Sequence, residues 1–226
     1  MKILTVIMTY DTPLYNYFDN KKRQYLEGKK EDFIFLYNGV GATRHNPLNK
    51  EHNYFSDIYN IGGIPVMFDK FNEIITQKIT DPYDFVIRVN SSTFINIDRI
   101  REELINKTDK VFMGFFEPSW NFISGACIIF SKDVLIKIPQ HKDIVNRNTY
   151  DDVVIGSIMN FCGIPKTYLD RYNISDQREV PHDNIISEAL KFPQIRIRND
   201  YNREVIDVGI WNKIARTLNL TSDLKK

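Results

Sequence analysis

Apolar runs of strand length alternate with segments of helical period through the first half of the chain, and this alternation restricts the fold more than any other feature. Ile3 to Met8, Asp32 to Tyr37 and Phe85 to Val89 read as buried strands, and Leu14 to Leu26 and Val66 to Ile79 between them read as helices. Strands separated by helices return to the sheet in the same direction, so the expected class is α/β, with a mixed, mainly parallel central sheet flanked by helices. The second half looks less regular. A helix is expected from Ile97 to Ile105, a strand from Lys110 to Phe116 and a hairpin-like stretch from Trp120 to Phe130. Pro193 to Arg198 then alternates apolar and polar residues before an amphipathic helix from Arg203 to Leu218. With 226 residues, 42% of them hydrophobic, the chain can bury one substantial core, and no repeat or linker divides it. Residues 1–226 read as one domain.

Charge narrows the partners. Thirty Lys and Arg against 29 Asp and Glu leave a net charge of +1, which provides no global attraction to nucleic acid or to an anionic membrane. The two cysteines, Cys127 and Cys162, sit in apolar stretches and suggest free thiols in a reducing compartment. Met1 to Tyr10 lacks the length and small-residue cleavage site of a signal peptide, and no apolar run approaches the roughly 20 residues that span a bilayer. A soluble, cytoplasmic protein is the expectation. Gly39-Val-Gly41 follows a strand but has no third glycine at position 44, so the dinucleotide fingerprint fails, and no Walker-A run occurs.

Three segments carry a pattern. Arg88-Val-Asn-Ser-Ser-Thr-Phe-Ile95 is a strand running into a polar turn; Ser124-Gly125-Ala126 leads to Ser131-Lys132-Asp133; and Asp151-Asp152-Val153 opens a helix that ends before Gly163. In this order and spacing, over roughly residues 60 to 170, they resemble the GT-A glycosyltransferases. The branch they are most similar to contains the β-1,3-galactosyltransferases and Fringe-type enzymes. The resemblance implies a transferase, a hexosyltransferase in type, that moves a sugar from a nucleotide-diphosphate sugar, a UDP-sugar in the first instance, to a hydroxyl acceptor with inversion. It places the family's catalytic carboxylate on Asp152, the sugar or acceptor pocket at Ser124, Gly125 and Asp151, and nucleotide contacts at Thr9, Tyr10 and Asp11.

One departure from the family pattern stands out. Where the family carries an acidic turn that holds a divalent metal, Mn or Mg, this chain carries Asn90, Ser91 and Ser92. These side chains supply hydrogen bonds but no charge, and a metal held by them alone is weakly bound. No histidine pair has ligand spacing, and His182, in Pro181-His-Asp183, is a loop residue whose plainer reading is a surface position. The expectation is therefore metal-independent transfer, with cations holding the diphosphate. Strand alternation puts Arg196 and Arg198 on one face, with Ile195 and Ile197 on the other, and Arg203 stands just beyond. Guanidinium forks match phosphate oxygens and keep their charge.

Plainer readings stand beside these. Arg196 and Arg198 suit a solvated strand face, and Arg203 suits an i,i+4 pair with Asp207. Thr149 to Asp152 has the form of a capping box, and Asp11 or Thr12 suits a helix cap before Pro13. Arg88, a charge inside an apolar strand, requires some partner. The alternative function is a non-catalytic relative that holds a nucleotide sugar or glycan, and a metallohydrolase ranks last for want of ligand clusters.

Overall fold

The structure, a computed structural model, describes residues 1–38, 54–55, 65–78, 80–144 and 150–220. The Gly39 and Gly41 loop, His45, His52 and Thr149 lie outside the described residues.

The first strand, β1 (Ile3–Tyr10), is followed by α1 (Pro13–Gly28) and β2 (Asp32–Asn38), then by β3 (Tyr54–Phe55), α2 (Pro65–Lys78) and β4 (Phe85–Asn90). Helix α1 starts as its sequence dictates: the Thr12 hydroxyl accepts the Tyr15 N–H, and Pro13 occupies the first turn, where no N–H is needed. Asp11 instead accepts a hydrogen bond from the Asn16 side chain at 3.0 Å. Strand β1 pairs in parallel with β2 on one side and β4 on the other, and β2 pairs in parallel with β3.

Beyond β4 the chain turns mixed. After β5 (Thr93–Ile95) and α3 (Ile97–Leu104) come β6 (Phe112–Gly114), β7 (Cys127–Ser131) and the short helices α4 (Lys132–Leu135) and α5 (Lys137–His141). Then follow α6 (Asp151–Phe161), β8 (Thr167–Tyr168), β9 (Tyr172–Ile174), α7 (Asp183–Ala189), β10 (Gln194–Ile197) and α8 (Arg203–Thr217). The main sheet has the order β3-β2-β1-β4-β7-β6-β8, with β7 antiparallel to both neighbours. A second sheet has the order β5-β10-β9.

Parity along the strands sorts the core. Ile3 and Ile7 of β1 and Phe85, Ile87 and Val89 of β4 face the cluster built with α1, α3, α7 and α8. Leu4, Val6, Met8 and Val86 face the other cluster, built with α2, α4, α5 and α6. Arg88 shares the parity of Val86 and so points toward α6.

Two expectations need correction. Trp120 to Phe130 is not a hairpin: residues 115–124 form a loop closed where the Ser124 N–H bonds the Phe115 carbonyl at 2.8 Å, and only Cys127–Ser131 is strand. The strand foreseen from Lys110 to Phe116 is limited to Phe112–Gly114, because Lys110 has φ +55° and the loop begins at Phe115. Helix α6 does end before Gly163, whose φ of +67° suits a residue without Cβ.

Candidate active site

Strands β1 and β4 are parallel neighbours, so their carboxyl ends lie together, the usual ligand position of an open α/β sheet. A cleft of about 380 Å³ opens there, within the range of small-molecule sites. Its walls come from the ends of these strands, the Ser124–Ala126 segment, the start of α6 and the face of β10.

The floor is the turn after β4. Beneath it, Asp19 and Lys22 of α1 are both buried, and both bond the turn. Asp19 accepts hydrogen bonds from the hydroxyls of Thr9 and Ser91, each at 2.6 Å. The Lys22 ammonium donates to the carbonyls of Asn90, at 3.1 Å, and Ser91, and lies 5.0 Å from the Trp211 ring centroid. Burial raises the Asp19 pKa and lowers that of Lys22, and their mutual attraction opposes both shifts. Thr9 thus serves the core, and the Ser91 hydroxyl is already committed to Asp19.

Asp151 and Asp152 stand in the first turn of α6, where a helix N-terminus favours negative charge. Arg88, only 3% exposed, donates to the Gly125 carbonyl and to Asp151. The partner required by a charge in an apolar strand is therefore Asp151. Asp152 reaches across the cleft wall, accepting the Gly125 N–H at 2.8 Å, while its other oxygen accepts the Val153 N–H at 3.0 Å. The helix start has Tyr150 as its cap residue, with no side-chain capping bond, so Asp152 does more than serve the helix end. Burial first, and the Asp151 charge second, raise the Asp152 pKa above the ordinary carboxylate value; the Gly125 N–H and Arg88 oppose the rise. A Cβ on Gly125 would lie 2.8 Å from Arg88 Nη1 and 3.0 Å from Asp152 Oδ2, so a side chain there would disturb the contact.

The part of the lining that β10 supplies is cationic. Ile195 and Ile197 are buried, while Arg196 and Arg198 line the cleft, as alternation requires. Arg196 pairs in register with Thr93 and donates to its hydroxyl at 3.3 Å, which sets it beside the turn. Burial, then the positive charges of Arg198 and Arg171, lower its pKa to about 10. A crowd of like charges of this kind is relieved by a bound anion. Arg203 takes the plainer course: it bonds Asp207 at 2.8 Å and the Tyr15 hydroxyl at 3.2 Å, and it does not line the cleft. Asp207 is fully buried, so this is no surface pair.

Of the residues expected from sequence, Tyr10, Asn90, Ser91 and Ser92 line the cleft, as do Ser124, Gly125, Asp151, Asp152, Arg196 and Arg198. Thr9, Asp11 and Arg203 do not. Tyr15 and Tyr150 line it unforeseen; Tyr15 packs 5.3 Å from Tyr10, centroid to centroid, and Tyr150 directly precedes the acidic pair. Their sequence signal is only adjacency to other candidates. Arg171, which donates to the Ser124 hydroxyl at 3.1 Å, gave no signal at all.

Among the described residues no group of three or more His, Cys, Asp or Glu is placed to hold a metal ion. Asp151 is paired with Arg88, the Ser91 hydroxyl with Asp19, and exposed His182 begins α7 away from the cleft lining. The described donor set does not fit a divalent metal. Among the described residues no helix is long and apolar enough to cross a membrane.

No family model matches the sequence, and no curated protein does. Solved structures do match, among them the crystal structure of a glycosyltransferase involved in the glycosylation of the major capsid of PBCV-1, with a TM-score of 0.56. The alignment covers 96% of this chain and 100% of that one at 13% identity. The two chains share one fold.

Proposed function

We propose that the protein is a glycosyltransferase of the inverting, metal-independent type, using a nucleotide-diphosphate sugar, with a UDP-sugar as the first candidate donor. The observation that carries this reading is that the Asp152 carboxylate and the Arg196–Arg198 pair line one and the same cleft. The fold of the structural neighbour agrees with it, and so do the motifs similar to the β-1,3-galactosyltransferase and Fringe branch.

The donor's base lies against Tyr10 and Tyr15, its diphosphate meets Arg196, Arg198 and the turn presenting Asn90 and Ser92, and its sugar lies over Ser124 and Gly125. The acceptor oxygen bonds to the anomeric carbon from the face opposite the leaving group. Its proton passes to Asp152, each of whose oxygens keeps a lone pair after bonding one N–H. The bond from the anomeric carbon to the phosphate oxygen breaks, and its electron pair leaves with the nucleoside diphosphate. Fixed guanidinium charges stabilise that developing anion without reorganising. A raised pKa suits Asp152 to the task, because it makes the carboxylate a stronger base. General-base catalysis of this kind contributes about 10²–10⁴-fold.

The test is thermal stabilisation by a panel of nucleotides and nucleotide sugars, with manganese or EDTA, followed by turnover of the best donor. Stabilisation by one nucleotide family in EDTA, and turnover that Asp152→Asn lowers about 10²–10⁴-fold in a folded protein, are expected. No stabilisation by any nucleotide refutes the reading. The turn without carboxylates also suits a binding module that holds a nucleotide sugar without transfer; donor hydrolysis or transfer by the purified chain rules that out.

A further inference from the structure

A cluster of aromatic rings stands beside the cleft and has no part in the donor chemistry. Trp120 stacks on Phe122 with centroids 5.1 Å apart and planes 7° from parallel, and Phe115 packs edge-on to Trp120. Tyr168 of β8, 51% exposed, completes the group against Phe115. Trp120, Phe122 and Phe115 are each only partly covered.

The loop that carries these rings is held in place. Besides the Ser124–Phe115 closure, the Asn160 side chain of α6 donates to the Asn121 carbonyl at 2.8 Å, and Lys166 donates to the Trp120 carbonyl. A Cβ on Gly156 would lie 2.5 Å from Phe122 Cβ, so only glycine lets the ring loop sit this close to the helix that bears Asp152. The rings join the cleft through Arg171. Its guanidinium carbon lies 3.6 Å from the Phe115 centroid, and its Nη1 bonds Ser124 at the cleft wall. Arg171 Nε is buried without a hydrogen-bond partner.

We infer that this cluster is an acceptor subsite for a pyranoside, so that the acceptor hydroxyl belongs to a carbohydrate; the inference rests on the transferase reading for its role but not for its binding chemistry. A pyranose ring has a face of C–H bonds that packs on an aromatic face, and a rim of hydroxyls that needs polar partners. The cluster offers both: ring surface from Trp120 and Tyr168, and polar groups from Arg171 and exposed Glu117 and Asp170. A lipid chain would leave these charges without partners, and an extended peptide gains little from a platform of this kind. Preorganisation by the pinned loop removes an ordering cost from binding.

The chain has two tryptophans, and Trp211 is 1% exposed in the core, so a ligand-induced change in emission reports on Trp120. The experiment titrates the full chain, without nucleotide, with methyl pyranosides and simple disaccharides, and in parallel with phosphatidylcholine vesicles and a Ser/Thr-containing peptide. A saturable change with at least one saccharide, weakened about tenfold by Tyr168→Ala, is the expected result, with nucleotide stabilisation unchanged in that variant. No change with any saccharide, a change with vesicles or peptide instead, or a saccharide affinity unmoved by Tyr168→Ala overturns the inference. Saccharide binding without stabilisation by any nucleotide supports the subsite while removing the donor reading, so the two fail separately.

Discussion

Arg88→Met should destabilise the protein by about 3 kcal/mol, and adding Asp151→Asn should restore a large part of the loss. Arg88 is 3% exposed and bridges the Gly125 carbonyl and Asp151, whose side chain is 14% exposed. Removing one partner of a buried pair leaves the other charge desolvated, a loss of about 3–5 kcal/mol. The lower end applies because Arg88 Nε already lacks a partner and Asp151 keeps some contact with water. For a chain of this length each kcal/mol lowers Tm by about 2–4 °C, so the single variant should melt about 6–12 °C below the parent. Asp151→Asn in the Arg88→Met background removes the stranded charge, and the cycle should show a coupling of about 2 kcal/mol or more. Urea denaturation of the parent, both single variants and the double variant measures this, with a constant m value as the check on two-state unfolding. A double variant no more stable than Arg88→Met would refute the view that the pair's value lies in mutual compensation.

Asp152 has a raised pKa, so the folded chain holds its proton more tightly than the unfolded chain does. Its contribution to stability is present below the unfolded carboxylate pKa and is lost as pH rises through the folded value. Asp152→Asn removes the buried charge but keeps an acceptor for only one of the Gly125 and Val153 N–H groups, so it should lose less stability relative to the parent at pH 7 than in acid, while turnover falls about 10²–10⁴-fold; melting curves against pH and a turnover assay check both halves. Gly125→Ala should cost about 1–3 kcal/mol by crowding Arg88 and Asp152, and lower kcat about a hundredfold by moving the carboxylate, read by denaturation and steady-state kinetics. Lys22→Met should cost about 3–5 kcal/mol, because it strands two turn carbonyls and Asp19, and Asp19→Asn in the same chain should recover part of that in urea titrations.

The sequence by itself determined the layered α/β class and the direction of the first strands, because strand and helical periods are local and survive in any context. It also determined which face of β10 is apolar, hence the shared face of Arg196 and Arg198. Only the tertiary structure decided what those residues meet. Thr9 and Ser91 looked like ligand groups until Asp19 and Lys22, distant in sequence from the turn, came to lie beneath it. Arg203 and Arg198 are equivalent as residue types, yet a buried Asp207 occupies the first and leaves the second facing the cleft. The ring cluster depended on a glycine in α6 admitting a loop that strand propensity alone would have made a hairpin. Periodicity constrains which way a side chain points, whereas its partner is set by long-range packing, and the chemistry of the cleft is made of partners.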